Sequence, residues 1–579
     1  MASGGASYVM PRQFLLATLA LVCACAGTPR PSPLALRTAS YSASFEDFAG
    51  RYLGGGRRGA REERPDAALA AFDPASERDG AARASGQLAE LRAIDTTHLS
   101  VPQRIDWLLV ESWLKRAVYD TVLHPLQRVP SRYLTLGDLP WRIGGAQAPT
   151  PEDWARVRRD LELAPRVMAL GRRQLQAPPP LWVSLAVTSA RGYAEFLGGQ
   201  YVQRVDSLAP DSLKAPLREA GAAARSALES FAAFLRDTLQ AGPDASWAAG
   251  TAYYDWVLRE ANFLPYGADS MIALGRLLHE QTKRALDSLA QELRPGTSWR
   301  VLADEMRTRH PEPGHVIEAY RRASHQVQGF LIARDLVRFP PCEQLTFVPT
   351  PPQLRETYAW GGYGGLTDRD SVLVGRFFVT DVVAGMTPTQ AQEKLRTQND
   401  GWISVIALHE GYPGHHLQTV YERRNPRRLR RAGNNTYYGE GWALYAEHWM
   451  AREGLFRDNP DGRLAQLQMR LWRTARVIID PSIHTGRMSY EQAVQFFVDE
   501  VGLERSAAEA EVNRFTTWPT QAPSYIVGWQ ELETLKAEVR AALGPRFSER
   551  DFVEKVLEAG PLPLALLRRA VLYAYGLGR

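Results

Sequence analysis

The 579-residue chain is poor in cysteine, lysine and long apolar runs, and each shortage excludes something. There are three cysteines; Cys23 and Cys25 fall in the first 25 residues and Cys342 stands alone, so the body contains no pair for a disulfide framework. Cys342, beside Pro341, reads as an inert thiol. Only six of the 69 basic residues are lysine, and the arginines are spread along the whole length against 64 acidic residues, for a net charge of +5. Nucleic-acid binders concentrate positive charge in a patch, so no nucleic-acid partner is expected. Beyond the N-terminus no apolar run approaches the ~20 residues that cross a bilayer. What remains is an ordinary globular composition, 45% hydrophobic and 23% charged, on a chain long enough to bury most of its apolar surface unaided.

The N-terminus is different. Phe14 to Val22 (FLLATLALV) is a nine-residue apolar run preceded by Arg12 and followed by small residues, the pattern of an export signal and too short for a membrane span. Two cleavage readings are open. Val22-Cys23-Ala24-Cys25 resembles a lipobox that would leave Cys25 lipidated, whereas Ala24-Cys25-Ala26 suits an ordinary signal peptidase. The Pro/Ser-rich tether that follows favours the lipoprotein. The expected organisation is a signal over residues 1–26, a tether over 27–44 and one catalytic body over 45–579. The body would be exported, periplasmic or held at the outer membrane of a bacterium, touching a membrane only through a lipid on Cys25.

The body reads as helix upon helix, with apolar residues at three- and four-residue spacing over Asp106 to Leu114, Asp153 to Leu163 and Asp211 to Leu235. Asp211 and Ser270 are placed as N-caps. Pro-rich breaks fall at Ala177 to Pro180, Arg309 to Gly314 and Pro349 to Pro352. Strand-like stretches are few, Leu345 to Val348 and Val372 to Thr380 being the best. The expected fold class is mainly α, one large two-lobed helical body with a small β-sheet near residues 345–382.

Five of the eleven histidines lie between 409 and 484. The centre is His409-Glu410-Gly411-Tyr412-Pro413-Gly414-His415-His416, and thirty positions after Glu410 comes Glu440-Gly441-Trp442-Ala443-Leu444-Tyr445-Ala446-Glu447. A hydrolytic zinc site needs three His/Glu ligands, an open position for water and a carboxylate to take that water's proton. H-E-x-x-H on one helix is the usual solution. Here position i+4 is Pro413, which cannot bond to the carbonyl of His409 and crowds the turn. Gly414 can take a conformation barred to other residues. Pro-Gly then loops out and returns His415 to the place that i+4 normally fills. His416 is the competitor, but it would lie about 10 Å along the axis from His409 on an unbroken helix. The spacing therefore favours His409 and His415 as ligands of Zn2+ or another divalent metal. Glu440 is the third ligand, and Glu447, seven residues on and on the same face, is the acceptor that orients a ligand histidine. Glu410 is the base. His484 oriented by Asp480, or Tyr525, is placed to stabilise an oxyanion, and Arg476 or Arg514 to hold a substrate carboxylate.

H-E-x-x-P-G-H followed by E-G-W-A-L-Y-x-E resembles the bacterial DUF885 family, metallopeptidase-like proteins of the zincin superfamily. Further landmarks are Ile105 to Leu109, Asp480 to His484, Pro519 to Tyr525 and Gly560 to Leu564, so the resemblance runs over about residues 45–579. It implies a mostly helical zincin-like fold, a divalent metal on His409, His415 and Glu440, Glu410 as base and peptide hydrolysis. Arg487-Met488 stands where a Gly-Trp pair would be expected, and Val553 where a histidine is common. Plainer readings compete at single positions: His448, Trp442 and Tyr445 as core, Glu447 as the partner of an arginine, Arg473 and Arg476 as a solvated or ion-paired face, and His484 as a satisfied histidine. Against the peptidase stand two rivals, a lipoprotein that binds peptides without cutting them and a hydrolase of another amide or ester.

Overall fold

The computed structural model describes residues 43–578 except 56–64, 138, 144–148, 241, 243–244, 351–359, 367–372 and 384. The expected signal lies outside the described residues, as does the tether up to residue 42. No helix among the described residues is long and apolar enough to cross a membrane.

The protein is mostly helical with one small sheet, as its periodicity predicts. The helices that matter below are α1 (Val101–Tyr119), α2 (Pro151–Gln174), α3 (Pro180–Gly198), α4 (Asp211–Asp237), α5 (Ala268–Leu293), α6 (Val316–Ala333), α7 (Asp400–Glu410), α8 (His415–Arg423), α9 (Thr436–Arg452), α10 (Pro460–His484), α11 (Arg505–Thr517), α12 (Ser524–Leu543) and α13 (Leu564–Ala574). The strands are β1 (Glu343–Pro349), β2 (Gly361–Leu366) and β3 (Leu373–Val379), in the order β1-β3-β2. β1 runs parallel to β3, with Phe347 opposite Phe377, and β2 runs antiparallel with Tyr363 opposite Phe377. The strand-like stretches predicted from β-branched and aromatic residues are β1 and β3. β2 is Gly-Gly-Tyr-Gly-Gly-Leu, which has no propensity signal and is held by its ladder to β3.

Two cap assignments need correction. The helix at 211 is preceded by Pro210, so Asp211 is its first residue and not its cap. The helix near 270 opens at Ala268, and Ser270 sits three residues past Gly267, whose N–H it accepts at 2.9 Å. Asparagines start the helices of the site instead. Asn399, Asn435 and Asn459 each accept a backbone N–H from the first turn of α7, α9 and α10, at 3.0, 3.0 and 2.9 Å, satisfying donors that a helix start leaves open.

Apolar side chains form one large cluster reaching from Ile105 to Leu572, a second carried by α2, α3 and α4, and two smaller ones around Phe45 and Tyr253. In the large cluster α10 packs on α5 and α7, and α9 packs on α12. Nearly every residue of α10 from Gly462 to His484 is buried, so the polar ones, Arg473, Arg476 and Asp480, must find partners inside.

Candidate metal centre

The interruption at Pro413-Gly414 ends α7 at Glu410 and starts α8 at His415. Gly414 is needed for closeness of approach. Its φ of −70° is open to any residue, but a Cβ there would collide with the carbonyl oxygens of His409 and Leu408. Folded back this way, His415 faces His409, with ring centroids 4.9 Å apart and nearly perpendicular. His415 Nε2 lies 3.4 Å and His409 Nε2 3.6 Å from Glu440 Oε2. One ligating atom from each of His409, His415 and Glu440 falls within 4.8 Å of the others, among the described residues.

The three side chains fit a metal ion. Glu440 Oε2 is buried and has no hydrogen-bond partner, a costly state for an isolated carboxylate oxygen. Two histidine-to-carboxylate separations of 3.4 and 3.6 Å are close to the ~3.4 Å edge of a tetrahedron with bonds of about 2.1 Å. The other nitrogen of each ring is engaged: His409 Nδ1 with Glu447 Oε1 at 2.8 Å, and His415 Nδ1 with Gln418 Oε1 at 3.4 Å. That leaves Nε2 of both for an ion. Burial opposes a charge on His415, but Glu440 and Glu410 outweigh it and hold the ring at about 9. Burial likewise opposes ionisation of Glu440, and the two histidines reverse it, keeping the carboxyl well below its usual range. A site of this charge would take a proton or a metal ion, and the two would compete for it.

Glu410 is pinned from the sheet. Its Oε2 accepts the backbone N–H of Tyr363 on β2 at 2.8 Å. His416, the competing ligand, points elsewhere: its Nε2 meets Glu343 Oε2 on β1 at 2.6 Å and its Nδ1 meets the Tyr363 hydroxyl at 3.2 Å. Gly375 on β3 leaves room for this ring, since a Cβ there would strike it. Tyr412 donates to the same Glu343 oxygen at 2.7 Å, so the motif is stitched to the sheet on both sides of Pro413.

Tyr525 reaches the cluster through a crossing of α9 and α12 at Gly441 and Gly528. A Cβ on Gly441 would run into the Gly528 backbone, and one on Gly528 into the carbonyl of Tyr437. Tyr525 stacks on His409 with centroids 6.2 Å apart. Burial, helped by the charge of Glu440, pushes its hydroxyl up to about 12 against the pull of Arg476, Arg514 and Arg473, so it is a proton donor at neutral pH. Arg473 and Arg476, read as a solvated or ion-paired pair, are buried, at 7% and 5% exposure. Arg476 donates to Glu511 Oε2 at 2.8 Å, and Arg473 lies 3.5 Å from Glu447.

His484 does not join them. Ala249 N–H donates to its Nδ1 at 3.2 Å, and its Nε2 bonds the Phe515 carbonyl at 3.0 Å. Asp480 is 3.8 Å away, too far to orient it, and instead accepts from Tyr254 and Thr520. Both nitrogens are spent on backbone, and burial holds the ring neutral, down at about 4. The assignment of His484 to an oxyanion is therefore corrected to a structural role. Sequence reasoning missed Glu343, Tyr363 and Glu511. Of these only Glu511, three residues before Arg514, left a signal.

A chain from Shewanella oneidensis described as a candidate lipoprotein of unknown function is similar over 92% of this chain and 100% of its own, with a TM-score of 0.74 at 23% identity. A candidate lipoprotein from Colwellia psychrerythraea covers 92% and 99%, with a TM-score of 0.77 at 18% identity. At these identities the likeness shows a shared fold. No curated protein matches the chain. The family described as bacterial protein of unknown function (DUF885) matches residues 52–571, and with nearly the whole helical body inside that match the chain belongs to the DUF885 family.

Proposed function

We propose that the protein is an exported, metal-dependent hydrolase of peptide bonds, with zinc as the metal. The observation that carries this is the convergence of His409, His415 and Glu440 within 4.8 Å, next to a carboxylate, Glu410, close enough to act on the charge of His415. Two imidazoles and one carboxylate are a donor set suited to zinc. When bound, the ion supplies Lewis acidity to a water and to the substrate carbonyl. Glu410, anchored by the Tyr363 N–H, takes the proton of the attacking water and returns it to the leaving amine. Tyr525, protonated at neutral pH, donates to the oxyanion. Glu447 and Gln418 fix the ligand rings. The export pattern of residues 1–26 and two similar structures described as candidate lipoproteins support a protein anchored through Cys25 outside the cytoplasm.

The test is metal content and turnover of the native protein beside Glu410→Gln and His409→Ala. Glu410→Gln should keep one metal per chain and lose about 10²- to 10⁴-fold in rate, while His409→Ala loses both. Equal activity in native protein and Glu410→Gln sinks this mechanism.

A further inference from the structure

We infer that the arginines beside the metal cluster form a receptor for a substrate carboxylate, the free C-terminal end of a peptide, so that the site takes its substrates by the tail. The chemistry of cleavage rests on the peptidase reading above; the recognition does not. Arg476 lies between two rings, its guanidinium carbon 4.5 Å from the Trp472 centroid and 4.7 Å from that of Tyr525. Its Nε is tied to Glu511 at 2.8 Å. Its two terminal nitrogens make no hydrogen bond, yet they are not among the side-chain atoms sealed from solvent without a partner. One edge of a planar, five-donor fork is thus fixed, and the other keeps its donors uncommitted in a side chain only 5% exposed, the edge that binds carboxylates two-pronged.

Two further guanidiniums stand beside it. Arg514 donates to Gln521 at 2.5 Å and stands 3.4 Å from Glu511. Arg473 spends one nitrogen on the Met469 carbonyl at 3.2 Å, and its Nε is buried without a partner. Within 4 Å the three guanidiniums meet Glu511 and Glu447, the latter also bonded to His409, while Glu440 and Asp480 act on Arg514 from farther off. A buried guanidinium with one uncommitted edge calls for an anion. Position decides which one. Arg476 is 4.7 Å from the Tyr525 ring, which is 6.2 Å from the His409 ring, so the receptor is within about 11 Å of the ligand cluster. An extended chain advances about 3.3–3.6 Å per residue, so the tail carboxylate one or two residues past the cleaved bond falls in reach. An acidic side chain near the cleaved bond is the other source of the same group.

Binding separates these. The full-length Glu410→Gln protein, which holds peptide without turning it over, is titrated by calorimetry with tetra-alanine as free acid, with its C-terminal amide and with the amide of Ala-Ala-Ala-Asp. The free acid should bind about 10- to 100-fold more tightly than either amide, the range of a charge-assisted pair. Adding Arg476→Gln should erase that difference while amide binding stays within about threefold. Circular dichroism and Tm check folding, and Arg476→Lys, which keeps the charge but loses the fork, or Arg514→Gln replaces a variant that does not fold. The inference is overturned if acid and tetra-alanine amide bind alike, if the Asp amide matches the acid, if no peptide binds, or if the preference survives in the arginine variants. Failure of the native protein to cut any peptide would sink the peptidase reading alone.

Discussion

At the residue scale the site is an exercise in fixing imidazoles. Glu447, fully buried, accepts from His409 Nδ1 at 2.8 Å, so Glu447→Gln should weaken metal affinity about 10- to 100-fold, read by competition with a chelator, while Glu440→Ala abolishes binding. Tyr525→Phe removes the one hydroxyl stacked against His409. We expect kcat to fall about 10²- to 10³-fold with KM near native, and steady-state kinetics on any cleaved peptide would show it; an unchanged kcat removes Tyr525 from the mechanism. The convergence of His409, His415 and Glu440 was legible because they lie within about thirty residues and the Pro-Gly interruption makes no sense for a helix alone. Glu343 and Tyr363 were not, because they come from strands far back in the sequence and touch the motif only through the fold. His484 misled because an i, i+4 Asp-His pair on a helix looks the same whether the ring faces a substrate or, as here, two backbone groups.

At the scale of elements, α10 is where burial decides protonation. Asp480 accepts from Tyr254 at 2.6 Å and from Thr520 N–H at 3.0 Å, but burial wins and pushes its carboxyl up to about 7. Folded protein therefore keeps a proton that the unfolded chain loses near pH 4. The stabilisation is full below that and is lost as pH rises towards 7, by up to about 4 kcal/mol. His484, held down at about 4, acts the other way: it destabilises as pH falls from 6.5 to 4, when the unfolded chain takes up a proton the fold refuses. The two offset each other between pH 4 and 6.5. Asp480→Asn, which keeps an acceptor and cannot ionise, should expose the His484 slope, its Tm climbing relative to native protein from pH 4 to 7. Parallel melting curves across that range would refute the assignment. Helix positions were readable from periodicity, since α1, α2 and α4 enclose the predicted stretches. Their starts were not, because the proline before 211 and the glycine before 268 compete with side-chain caps, and β2 carries glycine where strands usually carry branched residues.

At the scale of the molecule, one buried contact joins distant parts of the chain. Asp106 on α1 accepts from Arg427 Nε at 2.7 Å and from Arg430 Nε at 2.9 Å, and Arg430 also donates to the Ala559 carbonyl at 2.9 Å. All three charged side chains are at or near zero exposure. Asp106→Ala removes the carboxylate that both buried guanidiniums share and should cost about 3–5 kcal/mol, measured by denaturant unfolding; a loss under 1 kcal/mol would mean that their other contacts suffice. The landmark around Asp106 was visible in the sequence, but its partners, more than 300 positions away, were not. α1 also packs on α13, so the beginning of the body is completed by its end. This fixes an order in time. As the chain emerges from the ribosome, α1 can pack on the helix Pro74–Arg92, but its side towards α13 stays uncovered until the last stretch has been synthesised. For a protein exported as proposed, that delay is useful: the polypeptide stays loose enough to be threaded through a membrane and closes on itself only on the far side.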